Sequence, residues 1–228
     1  MSQTYLKSSR NHPNFSPICV DAPVFRFYGR ILVPDFSMTG EDGQNLLDFG
    51  CGQGSAVNYF SSLGFNAYGV DVLEGSIETA KNRYPQINER FQTCSPDPNL
   101  YSGFNERKYS VITAIQSLYY VNDEVFDHIM KSLYEILEPG GVIYATMVST
   151  QSQNLFDYST SIGQGLREVS FKYKRYSVDS IPMNFTESED HMLEKFKLFK
   201  KVHLGFYSDK FRDDEPSGHH YTFCGIKD

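Results

Sequence analysis

From residue 45 onward the chain alternates short, nearly continuous apolar runs with longer stretches whose apolar residues recur every three or four positions. NLLDF (45–49) reads as a strand, and SAVNYFSSLG follows with Val57, Phe60 and Leu63 on one helical face before Gly64 stops it. FNAYGVD (65–71) is the next strand, and Gly75 to Tyr84 the next helix. RFQTC (90–94) is a weak strand, whereas YSVITAIQ (109–116) is a strong one. The most regular helix is NDEVFDHIMKSLYEILEPGG, with Val125, Ile129, Leu133 and Ile136 on one face beside Phe126, Met130 and Leu137. Asn122 is its expected N-cap, Asp123 and Glu124 complement the dipole of its first turn, and Pro139-Gly140-Gly141 is its expected stop. GVIYATMV (141–148) is a fifth strand. Strands apolar along their length and separated by helices predict a parallel α/β sheet with helices on either side.

The flanks depart from this rhythm. Residues 1 to about 20 are polar with little periodicity and read as a loosely docked arm. APVFRFYGRILVPDF then predicts a short helix laid against the domain and ending before Pro34. After residue 148 the alternation lapses into a polar stretch, 149 to 185, that includes the interleaved aromatic and basic run FKYKRY (171–176). Thr186 and Glu189 fit a capping box opening a helix with Met192, Leu193 and Phe196. FKKVHLGFY (199–207) and HHYTFCGIK (219–227), joined by a charged turn, predict a terminal antiparallel pair. The expected organisation is an arm and capping helix over 1–43 and one domain over 44–228, with 149–185 as a variable insertion.

Composition narrows the partners. Lys and Arg total 21 against 28 Asp and Glu, a formal charge of −7, so the chain as a whole repels a polyanion and a nucleic-acid partner is disfavoured. Aromatic residues make up 15% of the chain, which suits a pocket that stacks on organic ligands, although a Tyr-rich core and surface is the plainer explanation. Cys19, Cys51, Cys94 and Cys224 show no CxxC pairing, and MSQTYLKSSRNHPNF lacks the apolar stretch of a signal peptide. A cytoplasmic location is expected, with no metal site, and with no membrane span because no apolar run approaches the ~18 to 20 residues one needs.

The chemistry concentrates in LLDFGCGQGS, Leu46 to Ser55, the first loop at the C-terminal edge of the sheet, where ligands of open parallel sheets bind. Gly50, Gly52 and Gly54 give G-x-G-x-G, one residue tighter than the dinucleotide fingerprint G-x-G-x-x-G. Asp48 would repel a pyrophosphate and attract an ammonium group. Asp71, 23 residues beyond it at the end of the second strand, stands near the ~20-residue spacing of a carboxylate that binds ribose hydroxyls. A cation at one end and a ribose at the other describe S-adenosylmethionine better than NAD or ATP.

With these residues the chain resembles the class I S-adenosylmethionine-dependent methyltransferases, through LLDFGCGQGS, GVD, YSVITAIQSLYYV and LEPGGVIYATM, in order over residues 44–148. The resemblance implies a Rossmann-like, seven-stranded, mostly parallel sheet with an antiparallel C-terminal hairpin, and S-adenosylmethionine as cofactor with S-adenosylhomocysteine as product. It implies that Asp48 supports the methionine amino group and that Phe49, Gly50, Cys51, Gly52 and Gly54 line the methionine and ribose. Asp71 then takes the ribose hydroxyls and Val72 packs on the adenine. Ser95 or Asp97 serves the adenine amino group, and Gln116 sits between cofactor and acceptor. Tyr28 and Arg30 of the N-terminal helix close over the cofactor, with a surface role for Arg30 as the alternative.

Methyl transfer is an in-line displacement, so most of the enzyme's work is positioning, and an oxygen acceptor of high pKa also needs a base. The candidates are His219 and His220, with His220 preferred, and Tyr119 and Tyr120, with Tyr120 preferred; the tyrosines can instead flank a sulfonium. Against catalysis stands the plain alternation of His219 and His220 across a strand. FKYKRY is either a basic aromatic wall for a sugar or phosphorylated substrate or an edge strand with solvated lysines. No NPPY-like tetrapeptide, the family's sign of amino methylation on bases or glutamine, is present. The expected activity is methyl transfer to a small metabolite or saccharide, at oxygen; the alternatives are a protein or RNA acceptor, or a binding protein that has lost catalysis.

Overall fold

The computed structural model describes residues 20–95, 107–173, 176–210 and 217–228 of the chain. It begins with α1 (Ala22–Phe27), which runs through a π turn, Tyr28–Leu32, into α2 (Val33–Phe36). The helix expected to end before Pro34 thus continues past it. The wider turn is the reason: the Val33 N–H bonds back five residues to the Tyr28 carbonyl, which brings Pro34 into the first turn of α2, where a missing N–H costs nothing.

The parallel part follows the expected order: β1 (Asn45–Phe49), α3 (Ser55–Ser62), β2 (Asn66–Asp71), α4 (Glu74–Arg83), β3 (Phe91–Thr93), β4 (Tyr109–Ala114), α5 (Asp123–Ile136) and β5 (Leu137–Val148). Asn122 caps α5 as expected, its side chain accepting the Val125 N–H at 2.9 Å. The stop differs. Leu137 is already extended and pairs with Tyr109, so Pro139-Gly140-Gly141 lies in the irregular start of β5 rather than after the helix.

The polar insertion forms a second sheet. After a short α6 (Gln153–Phe156) come β6 (Ser159–Gly163), β7 (Leu166–Tyr173) and β8 (Tyr176–Asn184), a three-stranded antiparallel meander. Of FKYKRY, residues 171–173 end β7 and Tyr176 opens β8, while 174, 175 and the side chains of the run fall outside the described residues. The helix α7 (Glu189–Lys195) is capped by Ser188, whose hydroxyl accepts the His191 N–H, and not by Thr186. Thr186 is engaged elsewhere: its backbone bonds to Val148 and Thr150 in a bridge beside the end of β5, and this delays the helix.

The chain closes with β9 (Lys200–Asp209) and β10 (Gly218–Ile226) as the expected antiparallel pair. The main sheet has seven strands in the order β3-β2-β1-β4-β5-β10-β9, with β10 antiparallel to both neighbours. The order reverses between β1 and β4, and the crevice beyond the C-terminal ends of those strands is where ligands of such sheets bind. One face is packed by α5 and α7, with Phe196 stacked on Phe223 at 4.7 Å. The other is packed by α1, α3 and α4, with Phe27 stacked on Tyr144 at 4.3 Å.

One junction holds the small sheet against this frame. Asn184 donates to the Asp123 carboxylate (2.7 Å) and to the Val121 carbonyl, and the buried Lys195 ammonium lies 3.1 Å from both Asp123 Oδ1 and Asn184 Oδ1. The Asp123 N–H and the Asn122 amide donate to Gln164 in the β6–β7 turn. The meander is thereby fixed beside the segment after β4. Among the described residues no helix is long and apolar enough to cross a membrane.

Phe27 is fully buried and carries the stack that fastens α1 to the sheet. Phe27→Ala is expected to lower unfolding free energy by about 3–5 kcal/mol in urea titrations, the usual cost of emptying a buried aromatic site.

Candidate active site

The end of β2 shapes the glycine loop. The Val70 carbonyl accepts the N–H groups of Gly50 (2.8 Å) and Cys51 (3.0 Å), while the Asp71 carboxylate accepts Gly52 N–H at 2.8 Å and Leu73 N–H at 2.9 Å. Burial raises the Asp71 pKa, and the N–H groups of Leu73, Gly52 and Val72 oppose the shift. Two glycines are sterically required. A Cβ at Gly50 (φ +78°) would stand 2.3 Å from Ser117 Cβ, and one at Gly54 (φ +83°) 2.6 Å from the Phe91 ring. Gly54 is the residue from which α3 starts, so its left-handed backbone turns the loop into the helix. At Gly52 nothing lies within 4 Å of an added Cβ, which leaves that stretch of backbone approachable.

Asp48 lies one strand over, 4% exposed, and accepts the Thr113 hydroxyl at 2.7 Å. Its pKa is pushed up to about 7, first by burial, against the pull of Thr113, with the Asp71 charge adding to the rise. A buried carboxylate held so near neutrality is one that a cationic ligand would re-ionise. Together, the cation-seeking Asp48, the open backbone at Gly52 and the preset Asp71 carboxylate fit the amino and ribose ends of S-adenosylmethionine.

The segment after β4 links this loop to a second group of side chains. Ser117 donates its hydroxyl to the Phe49 carbonyl at 2.8 Å. Gln116 sits in the left-handed region (φ +54°), its N–H bonded to Thr146 Oγ1 at 2.8 Å and its amide to the Tyr207 hydroxyl at 3.0 Å. A non-glycine residue held there stores strain, which tends to occur where function fixes geometry. The Tyr207 ring stacks on His220 (5.0 Å, 8°), and His220 packs against Tyr119, which in turn touches Tyr120. Burial lowers the His220 pKa to about 4, with His219 adding to the shift, and its buried Nδ1 has no hydrogen-bond partner. His219 points to the other face, where its Nδ1 meets the Ser149 hydroxyl at 2.7 Å.

The remaining expected residues divide. Val72 is half-buried beside the core, and Ser95 follows Cys94, whose N–H bonds to the Asp71 carbonyl. Asp97 lies outside the described residues. Cys51 is buried, and Gly69 makes room for its sulfur. Tyr28 donates to the Thr39 carbonyl at 3.1 Å and meets Tyr59 and Phe65 edge-on, tying the N-terminal helix to α3. Arg30 is exposed. Four residues escaped the sequence reading. Thr113 and Thr146 carried a usable signal, as lone polar positions inside apolar strands, whereas Ser117 and Tyr207 reach partners 68 and 91 residues away.

The folded state holds the Asp48 proton to about pH 7, whereas the unfolded chain releases it near the ordinary aspartate value of 3.8. Between these limits the native state binds more protons, so this group makes stability fall as pH rises, by about 1.4 kcal/mol per pH unit at most. Urea unfolding at pH 5, 6 and 7 is expected to show this slope in the natural protein and a shallower one in Asp48→Asn, where Asp71, also raised by burial, still contributes.

Comparison with known proteins agrees with the geometry. Residues 23–205 match a family described as a methyltransferase domain. An mRNA cap guanine-N(7) methyltransferase of Schizosaccharomyces pombe is 25% identical over 144 residues, covering 58% of this chain and 40% of its own. A ubiquinone biosynthesis O-methyltransferase of Coxiella burnetii is 28% identical over 109 residues, covering 47% and 44%. The chain thus spans less than half the length of these two curated relatives. Among solved structures, a SAM-dependent methyltransferase from Methanosarcina mazei superposes with a TM-score of 0.66 at 14% identity, covering 85% of this chain and 97% of that one. The chain belongs to the methyltransferase-domain family, and its fold is that of the class I S-adenosylmethionine-dependent methyltransferases.

Proposed function

We propose that the protein transfers a methyl group from S-adenosylmethionine to a small organic acceptor, at oxygen. The observation that carries the cofactor half is the Asp71 carboxylate, already bonded to the Gly52 N–H and oriented at the end of β2. In this reading Asp48 and the backbone from Phe49 to Gly54 hold the methionine and ribose. Val72, with Ser95 or Asp97, takes the adenine, and Arg30 closes from the surface. The bound cofactor supplies an electrophilic methyl carbon on a sulfonium, and the chain's residues orient the acceptor and exclude water.

The acceptor is placed against Gln116, Tyr120 and His220. A pKa near 4 keeps His220 unprotonated at neutral pH, able to accept a hydrogen bond but weak as a base. That supports an acidic, phenol-like hydroxyl over the alkyl hydroxyl of a sugar, which needs a stronger base. The overall charge of −7 supports a small acceptor over a nucleic acid. The mRNA cap relative keeps RNA as the second reading and qualifies the expectation, drawn from the net charge and the missing NPPY-like tetrapeptide, that nucleic acid is disfavoured.

Calorimetry with S-adenosylmethionine and S-adenosylhomocysteine is expected to show binding that Asp71→Ala weakens by about tenfold or more, since each hydrogen bond to a charged group is worth ~1.5–3 kcal/mol. Unchanged binding in that variant would sink the ribose assignment. Label transfer from methyl-labelled cofactor into cell-extract fractions is expected in low-mass material; label that becomes soluble only after nuclease treatment would select the RNA reading.

A further inference from the structure

We infer that Tyr207 is a positioning residue that carries the state of the cofactor loop to the acceptor wall. The inference rests on the proposed placement of cofactor and acceptor, and it concerns a strand, β9, otherwise remote from the glycine loop. The path is continuous. The Phe49 carbonyl, at the start of the loop, accepts the Ser117 hydroxyl, and Ser117 lies directly over Gly50. The next residue back, Gln116, is pinned in its left-handed conformation by Thr146 at its N–H and by Tyr207 at its side chain. Tyr207 then lies flat on His220, whose other neighbour is Tyr119.

The strain at Gln116 indicates the direction of the constraint. A residue in the left-handed region persists only when its surroundings over-determine it. Two of the bonds that do so come from β5 and β9, so the acceptor side holds the segment that touches the cofactor loop. By linkage, whatever coupling this path carries is reciprocal: a loop ligand that favours one state of the wall is itself favoured, by the same free energy, when the wall is in that state. The alternatives around His220 do not offer such a path: its Nδ1 has no partner, and its contacts are the two rings. The Tyr207 hydroxyl, its pKa pushed up to about 12 by burial, stays protonated and serves as a fixed hydrogen-bonding post.

The test uses S-adenosylhomocysteine as the probe and needs no acceptor. The protein has six histidines, so histidine-selective labelling gives few imidazole resonances, and His220→Gln assigns the one in question. Saturating S-adenosylhomocysteine is expected to shift the His220 resonance in the natural protein. In Tyr207→Phe, which keeps the stack and removes the hydroxyl, the shift should shrink at least about threefold while calorimetric affinity changes by less than about threefold, the signature of lost coupling rather than lost binding. Thr146→Val, close to the same shape, removes the other bond that pins Gln116, so it should behave alike and covers the case that Tyr207→Phe folds poorly. A full-sized shift in either variant with normal binding would overturn the inference, as would the absence of a shift in the natural protein when calorimetry shows binding. Absence of binding itself would overturn the cofactor assignment, and this inference with it.

Discussion

The end of β2 is the constraint on which the site depends. One residue there, Val70, gives its carbonyl to two loop N–H groups, and the next, Asp71, gives its carboxylate to a third. Three consecutive peptide units, Gly50 to Gly52, are therefore fixed from a neighbouring strand and not by the loop itself. That is why the loop can be glycine-rich without being loose: the glycines allow the backbone to pass under Ser117 and beside Phe91, and β2 removes the freedom that they would otherwise confer.

Two buried carboxylates follow from the same arrangement, and each raises the other's cost. Asp48 and Asp71 have pKa values raised chiefly by burial, and the Asp71 charge adds to the rise at Asp48. A protein selected for stability alone would not keep them. In the proposed placement, a cofactor that presents a cation to one and hydroxyl donors to the other would compensate both, and the destabilisation of the ligand-free state would become affinity. Around His220, where the acceptor is proposed to bind, the logic is opposite. His220 is neutral and Tyr207 is neutral, both by burial, while Asp123 and Lys195 pair with each other in fixing the small sheet.

Much of the fold was legible because parallel strands buried on both faces leave unbroken apolar runs, and β1, β2, β4 and β5 all have them. The carboxylates were legible because Asp48 and Asp71 end or nearly end such runs. The antiparallel meander was not, since strands with one exposed face at the edge of a polar insertion have neither run nor clear alternation. Pro34 misled because a π turn, which has no local signal, shifted the helical register beneath it. Thr186 misled because its backbone was claimed by a bridge to Ser149, far along the chain. The acceptor wall was half visible: the two histidines stood out, but Tyr207 acquires its place only when β9 is laid on β10.

The central claim is that Asp71 and the loop it holds are built for a ribose-bearing cofactor. A crystal structure of the complex with S-adenosylhomocysteine tests it most directly. The account predicts both ribose hydroxyls within hydrogen-bonding distance of the Asp71 carboxylate, with the Gly52 N–H bond intact and the methionine amino group on the Asp48 side. A nucleoside bound elsewhere, or an Asp71 side chain turned away from the ribose, would contradict it.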